Sequence, residues 1–486
     1  MVFSSLIFLY AFFPLSLLVY CICPTKKSKN VSLLIFSLIF YAWGEPKYVL
    51  LLMFMALAAW FCALGVEKAE SKKSKKVWVV VSSAIDILLI GYFKYSGLLC
   101  SVFGTVPEFI KSIALPIGIS FYTFQLLTYV VDVYRGEAKA QKSYWNVLLY
   151  AALFHQCIAG PIVRYKTIDR ELFGDGYRKP QVAVGVSRFC GGLAKKVLLA
   201  NPCGALADAL LLSDSVASDA AQFASNLESL QNLSVLGAWV GLLAYALQIY
   251  LDFSAYSDMA IGMGKMLGLN YLENFDYPYI SRSVTEFWRR WHMSLGTLFR
   301  DYVYIPLGGS RCSFPRMVLN TFVVWALTGL WHGASWNFVL WGLWFFVFLM
   351  IERLFLKKAL DKVPVLSNVY LLLVVLLGWV IFRFTDIRLG WTVVKTLFGA
   401  NGNALTSFTS EMRLQNNLFL LLVSMFACLP FMKMLRWRLE VFCSQHGALG
   451  KVWNVVFYSI LPVILLLLST AALVGDSYNP FIYFQF

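Results

Sequence analysis

The sequence predicts an all-α polytopic membrane protein. Of its 486 residues, 59% are hydrophobic and 14% are charged, and the mean hydropathy is +0.69. Soluble domains carry about a quarter charged residues, so this composition excludes an ordinary soluble enzyme. Apolar stretches of roughly 15 to 25 residues recur along the chain, and each is long enough for a helix that crosses a bilayer. We therefore expect roughly ten to twelve transmembrane helices, together with re-entrant and amphipathic helices.

The distribution of lysine and arginine predicts how the chain crosses the membrane, because short cytoplasmic loops are enriched in these residues. Residues 26–29 and 68–76 are basic and are assigned to the cytoplasm, so the apolar runs 31–43 and 48–66 form a hairpin between them. The first apolar stretch lacks the features of a cleaved signal peptide and is expected to remain as a span. Further spans are predicted at residues 77–95, 113–131, 369–384, 418–432 and 455–472. Both termini are then extracytoplasmic.

The middle of the chain is less regular. Residues 148–161 are few for a span and include His155, so a re-entrant segment and a span both fit. Runs 182–212 and 233–269 are long enough for spans plus extra turns, and the polar residues between them are expected to form a loop on the outer side. A second outer loop is expected at residues 399–417.

The net charge of +15 does not indicate a nucleic-acid partner. The basic residues lie in loops beside apolar runs, where attraction to lipid headgroups accounts for them. The ten cysteines have no spacing typical of zinc ligands, so we interpret them as small buried side chains and predict no metal site.

Residues 274–336 concentrate the chemistry-bearing side chains, including two of the four histidines, His292 and His332. Charged residues among apolar spans are costly in a bilayer and by default mark a functional site. The first half predicts one amphipathic helix over residues 283–299, with Ser283 as the N-cap and Glu286 completing a capping box. One face of that helix carries Trp288, Trp291, His292, Leu295 and Phe299.

The second half of this stretch places His332 between two apolar runs, residues 318–330 and 338–351. Gly333 follows the histidine, and the lack of a side chain there allows backbone or ligand to come close. The total is about twelve spans if these two runs cross the membrane and about ten if they are re-entrant.

A polar seam is predicted within the apolar run that begins at residue 233. It comprises Gln248, Asp252, Ser254, Ser257 and Asp258. A carboxylate at membrane depth indicates a tunnel lining or a partner for a buried histidine or arginine. Hydrogen bonding between packed helices is the alternative for each residue. His155 and His446 are interpreted as structural or loop residues.

Several motifs in a fixed order resemble the membrane-bound O-acyltransferase (MBOAT) family, and most closely its bacterial branch of alginate O-acetylase-like proteins. The longest is NFDYPYISRSVTEFWRRWHMSLGTLFRDYVYIPLGG with the later GLWHGASW. Shorter matches are YAWGEPKY, LPIGISFYTFQ, VDVYRG, AGP and DFSAYSDMAIG. The resemblance implies a single membrane domain over residues 1–486, with N-terminal spans (1–135), a catalytic core (136–352) and C-terminal spans (353–486) around a central tunnel.

The same resemblance implies the reaction. His332 matches the family's catalytic histidine and His292 the second histidine of the bacterial branch. A cytoplasmic thioester, acetyl-CoA or an acyl-carrier thioester, would donate the acyl group, with no permanently bound cofactor. The acceptor would be an extracytoplasmic polysaccharide, reached with a periplasmic or surface acetyltransferase partner of the SGNH type. The expected location is the bacterial cytoplasmic (inner) membrane.

Acyl transfer to a hydroxyl needs a base, donors for the developing oxyanion and exclusion of water. Imidazole suits the first task, and His332 is the candidate. Trp331 and Trp336 are candidate walls, and Trp288 is a further candidate for the tunnel or substrate site. His292 orients a substrate, shares the base role or contacts the donor; packing in a tryptophan cluster is the alternative.

The adjacent arginines, Arg289 and Arg290, suit the phosphates of a donor or those of lipid headgroups equally.

Two other functions remain open at this point. D-alanyl or other acyl transfer from a carrier protein to teichoic acid differs in the identity of the acyl donor. A transporter belongs to a different class and predicts inverted sequence repeats, which are not visible in the sequence.

Overall fold

The computed structural model describes residues 1–158, 160–176, 179–212, 219–475 and 478–480, and this part of the chain is helical with no β-strand. The chain divides into two compact units. The first comprises Met1–Leu193, Tyr256–Glu273 and Leu461–Leu473, and the second comprises Ala194–Ala255, Asn274–Ile460 and Val474–Phe486. The long helix Val235–Met266 contributes residues to both.

The first unit is built around the apolar helix Val49–Lys68. It packs against Lys72–Ile90, Ile119–Arg135 and Tyr144–Ala152. Ala56, Ala59 and Ala63 lie on its buried side, and small residues at helical spacing allow neighbouring helices to approach closely. The other helices that lie wholly in this unit are Phe13–Ile22, Lys26–Gly44, Ser96–Phe103, Glu108–Lys111 and Tyr165–Leu172, with π-helical turns at Phe8–Phe12 and Gly91–Tyr95. The helix Val182–Ala194 lies in it up to Leu193.

The second unit contains the helices Asn201–Leu211, Ala220–Gln231, Val284–Arg290, Met293–Phe299, Phe314–His332, Trp336–Ile351, Lys357–Leu360, Pro364–Arg383, Ile387–Leu397, Phe408–Ala427, Phe431–Ser444 and Gly447–Val455, and π-helical turns at Lys195–Ala200, Arg300–Tyr304, Glu352–Leu356 and Val456–Ile460. Residues Leu461–Gly475 form the last described helix. The closest packing joins Phe314–His332 to Trp336–Ile351. A methyl group on Gly329 would lie 2.4 Å from the carbonyl oxygen of Phe338, so a larger residue would push these helices apart.

Six helices of the described chain are long and apolar enough to cross a membrane. They are Val49–Lys68, Lys72–Phe103, Val235–Met266, Trp336–Leu360, Pro364–Arg383 and Gly447–Gly475. Phe408–Ala427 and Phe431–Cys443 meet at a 60° bend and make a seventh if they form one broken span. The chain is therefore a multi-pass membrane protein, and the total of ten to twelve spans stays a prediction.

Two expected loops are partly helical. Within the polar stretch 213–232, residues 213–218 lie outside the described part, and Ala220–Gln231 is a helix whose N-cap Asp219 accepts a hydrogen bond from the backbone of Gln222 at 2.8 Å. The loop predicted at residues 399–417 ends early, because Ser407 caps the helix Phe408–Ala427. In both places a capping side chain starts a helix inside a polar sequence.

The short segment predicted at residues 148–161 contains only the end of a nine-residue helix, Tyr144–Ala152. A helix of nine residues spans about half of a bilayer core. The chain beyond it is irregular up to the next helix, and Ala159 of the AGP motif lies outside the described residues.

Candidate active site

The segment that carries His292 forms two short helices. Val284–Arg290 ends before Trp291, and Met293–Phe299 begins directly after His292. His292 has φ +46° and ψ +53°, a left-handed conformation that few residues other than glycine adopt. The predicted single helix over residues 283–299 is therefore wrong, because this residue turns the chain. Such a conformation costs about 1–3 kcal/mol and persists only where the surroundings enforce it.

The predicted N-cap of the first helix is confirmed. The Ser283 hydroxyl accepts a hydrogen bond from the Glu286 backbone at 3.1 Å. The Glu286 carboxylate reaches back to the N–H of Arg282 at 3.0 Å, one residue earlier than a standard capping box.

Glu352 holds the start of the same helix. Its buried carboxylate accepts the backbone N–H of Val284 at 2.5 Å and that of Thr285 at 3.1 Å. The hydroxyl of Thr285 donates to it as well, at 3.0 Å. A carboxylate also interacts favourably with the positive end of a helix. Glu352 was not predicted from the sequence. Its position directly after the apolar run 338–351 was a signal that this acidic residue has a specific partner.

Asn274 holds the chain on the other side of His292. Its backbone carbonyl accepts the N–H of Met293 at 2.9 Å. Its side-chain Oδ1 accepts both the N–H of Ser294 at 3.1 Å and the Ser294 hydroxyl at 2.8 Å. These three hydrogen bonds fix the two residues that follow His292 and so help to maintain its left-handed backbone.

The imidazole of His292 is buried, and one of its nitrogens has a defined role. Nδ1 accepts a hydrogen bond from the backbone N–H of Leu295 at 3.2 Å. The neutral ring therefore carries its proton on Nε2. Burial lowers the pKa of His292 to about 3, so the ring is neutral at physiological pH. Its faces and edges contact aromatic rings, with centroids 4.8 Å from Phe253 and 5.6 Å from Trp331.

His332 is the last residue of the helix Phe314–His332 and is only 6% exposed. Its ring lies edge-on to Trp331 at 4.9 Å, Trp341 at 4.8 Å and Phe382 at 5.4 Å between centroids. Trp331 therefore contacts both histidines. The expected close approach at Gly333 is present, since a methyl group there would lie 2.1 Å from the Phe338 ring.

The predicted tryptophans are placed differently from one another. Trp331 is buried and contacts both histidines, whereas Trp336 is 53% exposed at the start of its helix. Trp288 packs against Trp325 at 4.9 Å and Trp341 at 5.4 Å. Trp341 and Phe382 also pack against His332, and neither was predicted as a site residue. Both lie in apolar helices, where their spacing does not distinguish them from ordinary core residues.

The two arginines also differ. Arg290 binds the Glu286 carboxylate at 2.9 Å and the Asp276 carboxylate at 3.4 Å. Arg289 is exposed. Of these two arginines, Arg289 is therefore the more accessible from outside the protein.

Asp252 forms a buried ion pair with Lys196 in the second unit. The Oδ1–Nζ distance is 3.0 Å, and both side chains are at most 2% exposed. Lys196 also donates to the carbonyl of Pro480, and Lys195 donates to the hydroxyl of Ser254 at 3.2 Å. The two adjacent lysines in an otherwise apolar run were the sequence signal for this pair.

Asp258 belongs to the first unit and has a different cation. Its Oδ1 accepts Nη2 of Arg188 at 2.9 Å, and the same guanidinium binds Glu273 through two nitrogens. Two residues of the predicted polar seam thus form ion pairs. Asp252 pairs with Lys196 and Asp258 pairs with Arg188, and neither cation was singled out from the sequence.

The arrangement around the histidines favours proton transfer in a dry environment. Aromatic rings surround both imidazoles, and exclusion of water strengthens electrostatic interactions with a bound substrate. A neutral imidazole with its proton on Nε2 donates a hydrogen bond, and a second imidazole can accept a proton. Among the described residues, no group of three His, Cys, Asp or Glu side chains is placed to hold a metal ion.

The sequence is similar to proteins of one known family. Residues 33–390 match the model of the MBOAT, membrane-bound O-acyltransferase, family. The probable alginate O-acetylase AlgI of Pseudomonas aeruginosa is 38% identical over 82% of this chain and 75% of its own length. The peptidoglycan O-acetyltransferase of Helicobacter pylori is 29% identical over 85% and 82%. The teichoic acid D-alanyltransferase of Bacillus subtilis is 25% identical over 50% and 60%.

Proposed function

The chain belongs to the membrane-bound O-acyltransferase family, and we propose that it transfers acetyl groups from a cytoplasmic thioester for O-acetylation of an extracytoplasmic polysaccharide. The observation that carries the catalytic part is the enclosure of His332 by Trp331, Trp341 and Phe382, with a second, neutral imidazole in contact with the same Trp331. The two relatives named for O-acetylation of a polysaccharide are more similar to this chain than the D-alanyl transferase, which supports acetyl as the acyl group.

In this proposal His332 is the general base. It takes the proton of the acceptor hydroxyl while the hydroxyl oxygen attacks the thioester carbonyl. The C–O bond forms, the C–S bond breaks, and the leaving thiolate receives the proton from His332, which returns to its neutral form. His292 donates from Nε2 to the carbonyl oxygen as negative charge develops there, which is the task of an oxyanion hole. Trp331 separates the rings from water.

The donor is acetyl-CoA or an acyl-carrier thioester, used as a substrate and not held as a permanent cofactor. Its phosphates need a cationic contact, and a guanidinium pairs well with phosphate. Arg289 is the better candidate of the two arginines because it is exposed, whereas Arg290 is engaged by Glu286 and Asp276.

The proposed membrane topology is based on the distribution of lysine and arginine along the chain. We place the protein in the bacterial cytoplasmic membrane as one domain with ten to twelve spans, a central tunnel and both termini outside. The basic residues 26–29 and 68–76 support a cytoplasmic position for those segments. A periplasmic or surface partner of the SGNH type would complete transfer to the polysaccharide.

Replacement of His332 by Ala tests the catalytic assignment. Polysaccharide acetylation, measured by mass spectrometry of the isolated glycan, is expected to fall by at least about 10²-fold at equal expression. His446→Ala is the matched control, because this histidine is exposed. Unchanged acetylation in the His332 variant would remove its proposed role. The same glycan analysis in a deletion strain identifies the acceptor.

D-alanyl transfer is the alternative that a specific similarity favours. It predicts that the transferred group adds the mass of alanyl instead of acetyl and that activity requires an aminoacylated carrier protein. Purified protein supplied with acetyl-CoA alone separates the two. The transporter alternative is not proposed, because the family transfers acyl groups.

A further inference from the structure

A cavity of about 340 Å³ lies in the first unit, next to the short apolar helix Phe8–Ile22. Ligand-binding pockets have volumes of about 300–1,000 Å³, so this cavity is at the lower end of that range and is large enough for a small group. Its polar lining includes Lys26, Lys29, Asn30 and Glu171, and four leucines form the apolar part.

The walls of this cavity are held by defined hydrogen bonds. Tyr20 donates its hydroxyl to the carbonyl of Leu267 at 3.1 Å, and Asn30 donates to the carbonyl of Leu172 at 2.8 Å. The carboxylate of Glu171 accepts the backbone N–H of Asn270 at 2.9 Å. Asn30 thus joins the helix that carries the lysines to Leu172, and the other two bonds tie Tyr20 and Glu171 to residues 267–270 on the opposite wall.

The residues that line the cavity include two lysines and one glutamate, a formal net charge of +1, and Asp175 near Lys26 lies outside this lining. Lys29 lies with its ammonium 5.2 Å from the centroid of the Tyr20 ring, and Lys26 contacts the carbonyl of Gly174. On the acidic side, Glu171 is engaged by a backbone amide, and Asp175 lies near Lys26. Two ammonium groups beside an apolar floor fit an anion that continues into a hydrocarbon chain.

We propose that this cavity binds the headgroup of an anionic phospholipid. Lys26 and Lys29 would contact its phosphate, and leucines such as Leu33 and Leu267 would contact the glycerol and the first carbons of an acyl chain. Lysines that directly follow an apolar helix attract anionic lipids, by about 1 kcal/mol for each residue near the surface. The leucines favour a lipid over a free phosphate, because a soluble anion leaves that surface uncovered.

The chain contains its own control for this proposal. Lys27 lies in the same helical turn and carries the same charge, but it is exposed and does not line the cavity. Lys29→Gln and Lys27→Gln therefore change the net charge equally and differ only in the cavity. Lys29→Arg keeps the charge at the cavity and identifies any loss that comes from misfolding.

The experiment measures lipid binding by native mass spectrometry of the full-length, detergent-purified protein. Phosphatidylglycerol, phosphatidylcholine, inorganic phosphate and coenzyme A are each titrated. We expect phosphatidylglycerol to bind most tightly, with about a tenfold loss in Lys29→Gln, as for removal of one charge-assisted contact, and less than twofold loss in Lys27→Gln and Lys29→Arg.

Three outcomes would overturn the proposal. Equal losses in Lys27→Gln and Lys29→Gln would show general attraction to a basic surface. Tighter binding of phosphatidylcholine would remove the role of headgroup charge. Displacement of the lipid by inorganic phosphate or coenzyme A at comparable concentration would show a site for a soluble phosphate, if Lys29→Gln also weakens the binding of that phosphate compound. Acyl transfer is not the readout, so failure here leaves the proposed enzymatic function intact.

Discussion

The backbone N–H of Leu295 donates a hydrogen bond to Nδ1 of His292 at 3.2 Å, and this contact gives the two ring nitrogens different tasks. Nδ1 is occupied as an acceptor, so Nε2 carries the proton. Because burial lowers the pKa of His292 to about 3, the ring stays in this form at physiological pH. The proposed division, with His292 as donor and His332 as base, depends on this relationship.

Replacement of His292 tests whether it donates. Phe removes the N–H, and we expect kcat for acetyl transfer to fall about 10²–10³-fold with little change in KM, as when one oxyanion donor is lost. Gln keeps an N–H donor and should recover at least part of this loss. The measurement is steady-state transfer from acetyl-CoA by reconstituted protein. A rise in KM with unchanged kcat in both variants would instead indicate a role in substrate binding.

Asn274 is expected to act on the reaction through His292. Asn274→Ala removes the acceptor for two hydrogen bonds from Ser294, each worth about 0.5–1.5 kcal/mol, and should lower kcat while KM is nearly unchanged. Asn274→Asp keeps the acceptor oxygens and is expected to retain more activity. Asn416→Ala, at an exposed asparagine, is the control. Equal kcat in Asn274→Ala and wild type would show that the left-handed conformation is maintained without this side chain.

The ion pair between Lys196 and Asp252 is expected to be a large determinant of stability. Loss of one partner from a buried pair typically costs about 3–5 kcal/mol, because the remaining charge is left without compensation. Lys196→Met and Asp252→Leu should each lower Tm in detergent, and the double variant should be more stable than the sum of the single effects. Lys111→Met tests an exposed pair and should leave Tm unchanged. Additive losses would show that the two charges are not coupled.

Residue patterns predicted the membrane class and the presence of several long apolar helices, because these depend on composition and local order. The roles of the two histidines stay predictions. They failed at His292, where helical spacing predicted a continuous helix through a residue with φ +46°. Hydrogen bonds from outside the segment, such as those of Asn274 to Met293 and Ser294, help to hold that turn, and a pattern over neighbouring residues does not include them.

The same limit explains the polar seam. Carboxylates in an apolar run predicted a tunnel lining or a histidine or arginine partner. Asp258 does pair with an arginine, Arg188, whereas Asp252 pairs with a lysine, Lys196, and both cations come from another helical segment. The prediction for Trp336 also relied on sequence proximity. Trp336 is four residues from His332 and was predicted as a wall beside it, but the chain turns at Gly333 and leaves Trp336 exposed.

Acidification should destabilise the protein through its buried histidines. Burial lowers the pKa of both His155 and His292 to about 3, against about 6.5 for a solvated histidine. The unfolded chain therefore binds protons that the folded chain does not, and stability present above pH 6.5 is lost as the pH falls toward 3, by up to about 1.4 kcal/mol per pH unit for each group. Tm measured from pH 7 to pH 4.5 should fall less steeply in His155→Gln than in wild type. His446→Gln, at an exposed position, should keep the wild-type slope, and an equal slope in all three proteins would contradict this account.

Gly333 is expected to tolerate no side chain, because the position of His332 depends on the ring that covers this glycine. An added methyl group would lie 2.1 Å from Phe338, whose ring contacts Phe382 at 5.0 Å between centroids, and Phe382 in turn contacts His332 at 5.4 Å. Gly333→Ala should therefore lower both Tm and kcat, whereas Gly447→Ala, where a methyl group meets no atom within 4 Å, should change neither. Phe338→Leu in combination with Gly333→Ala provides room for the methyl group and should recover part of the lost activity. If the double variant loses as much as the two single variants together, the displacement does not pass through Phe338.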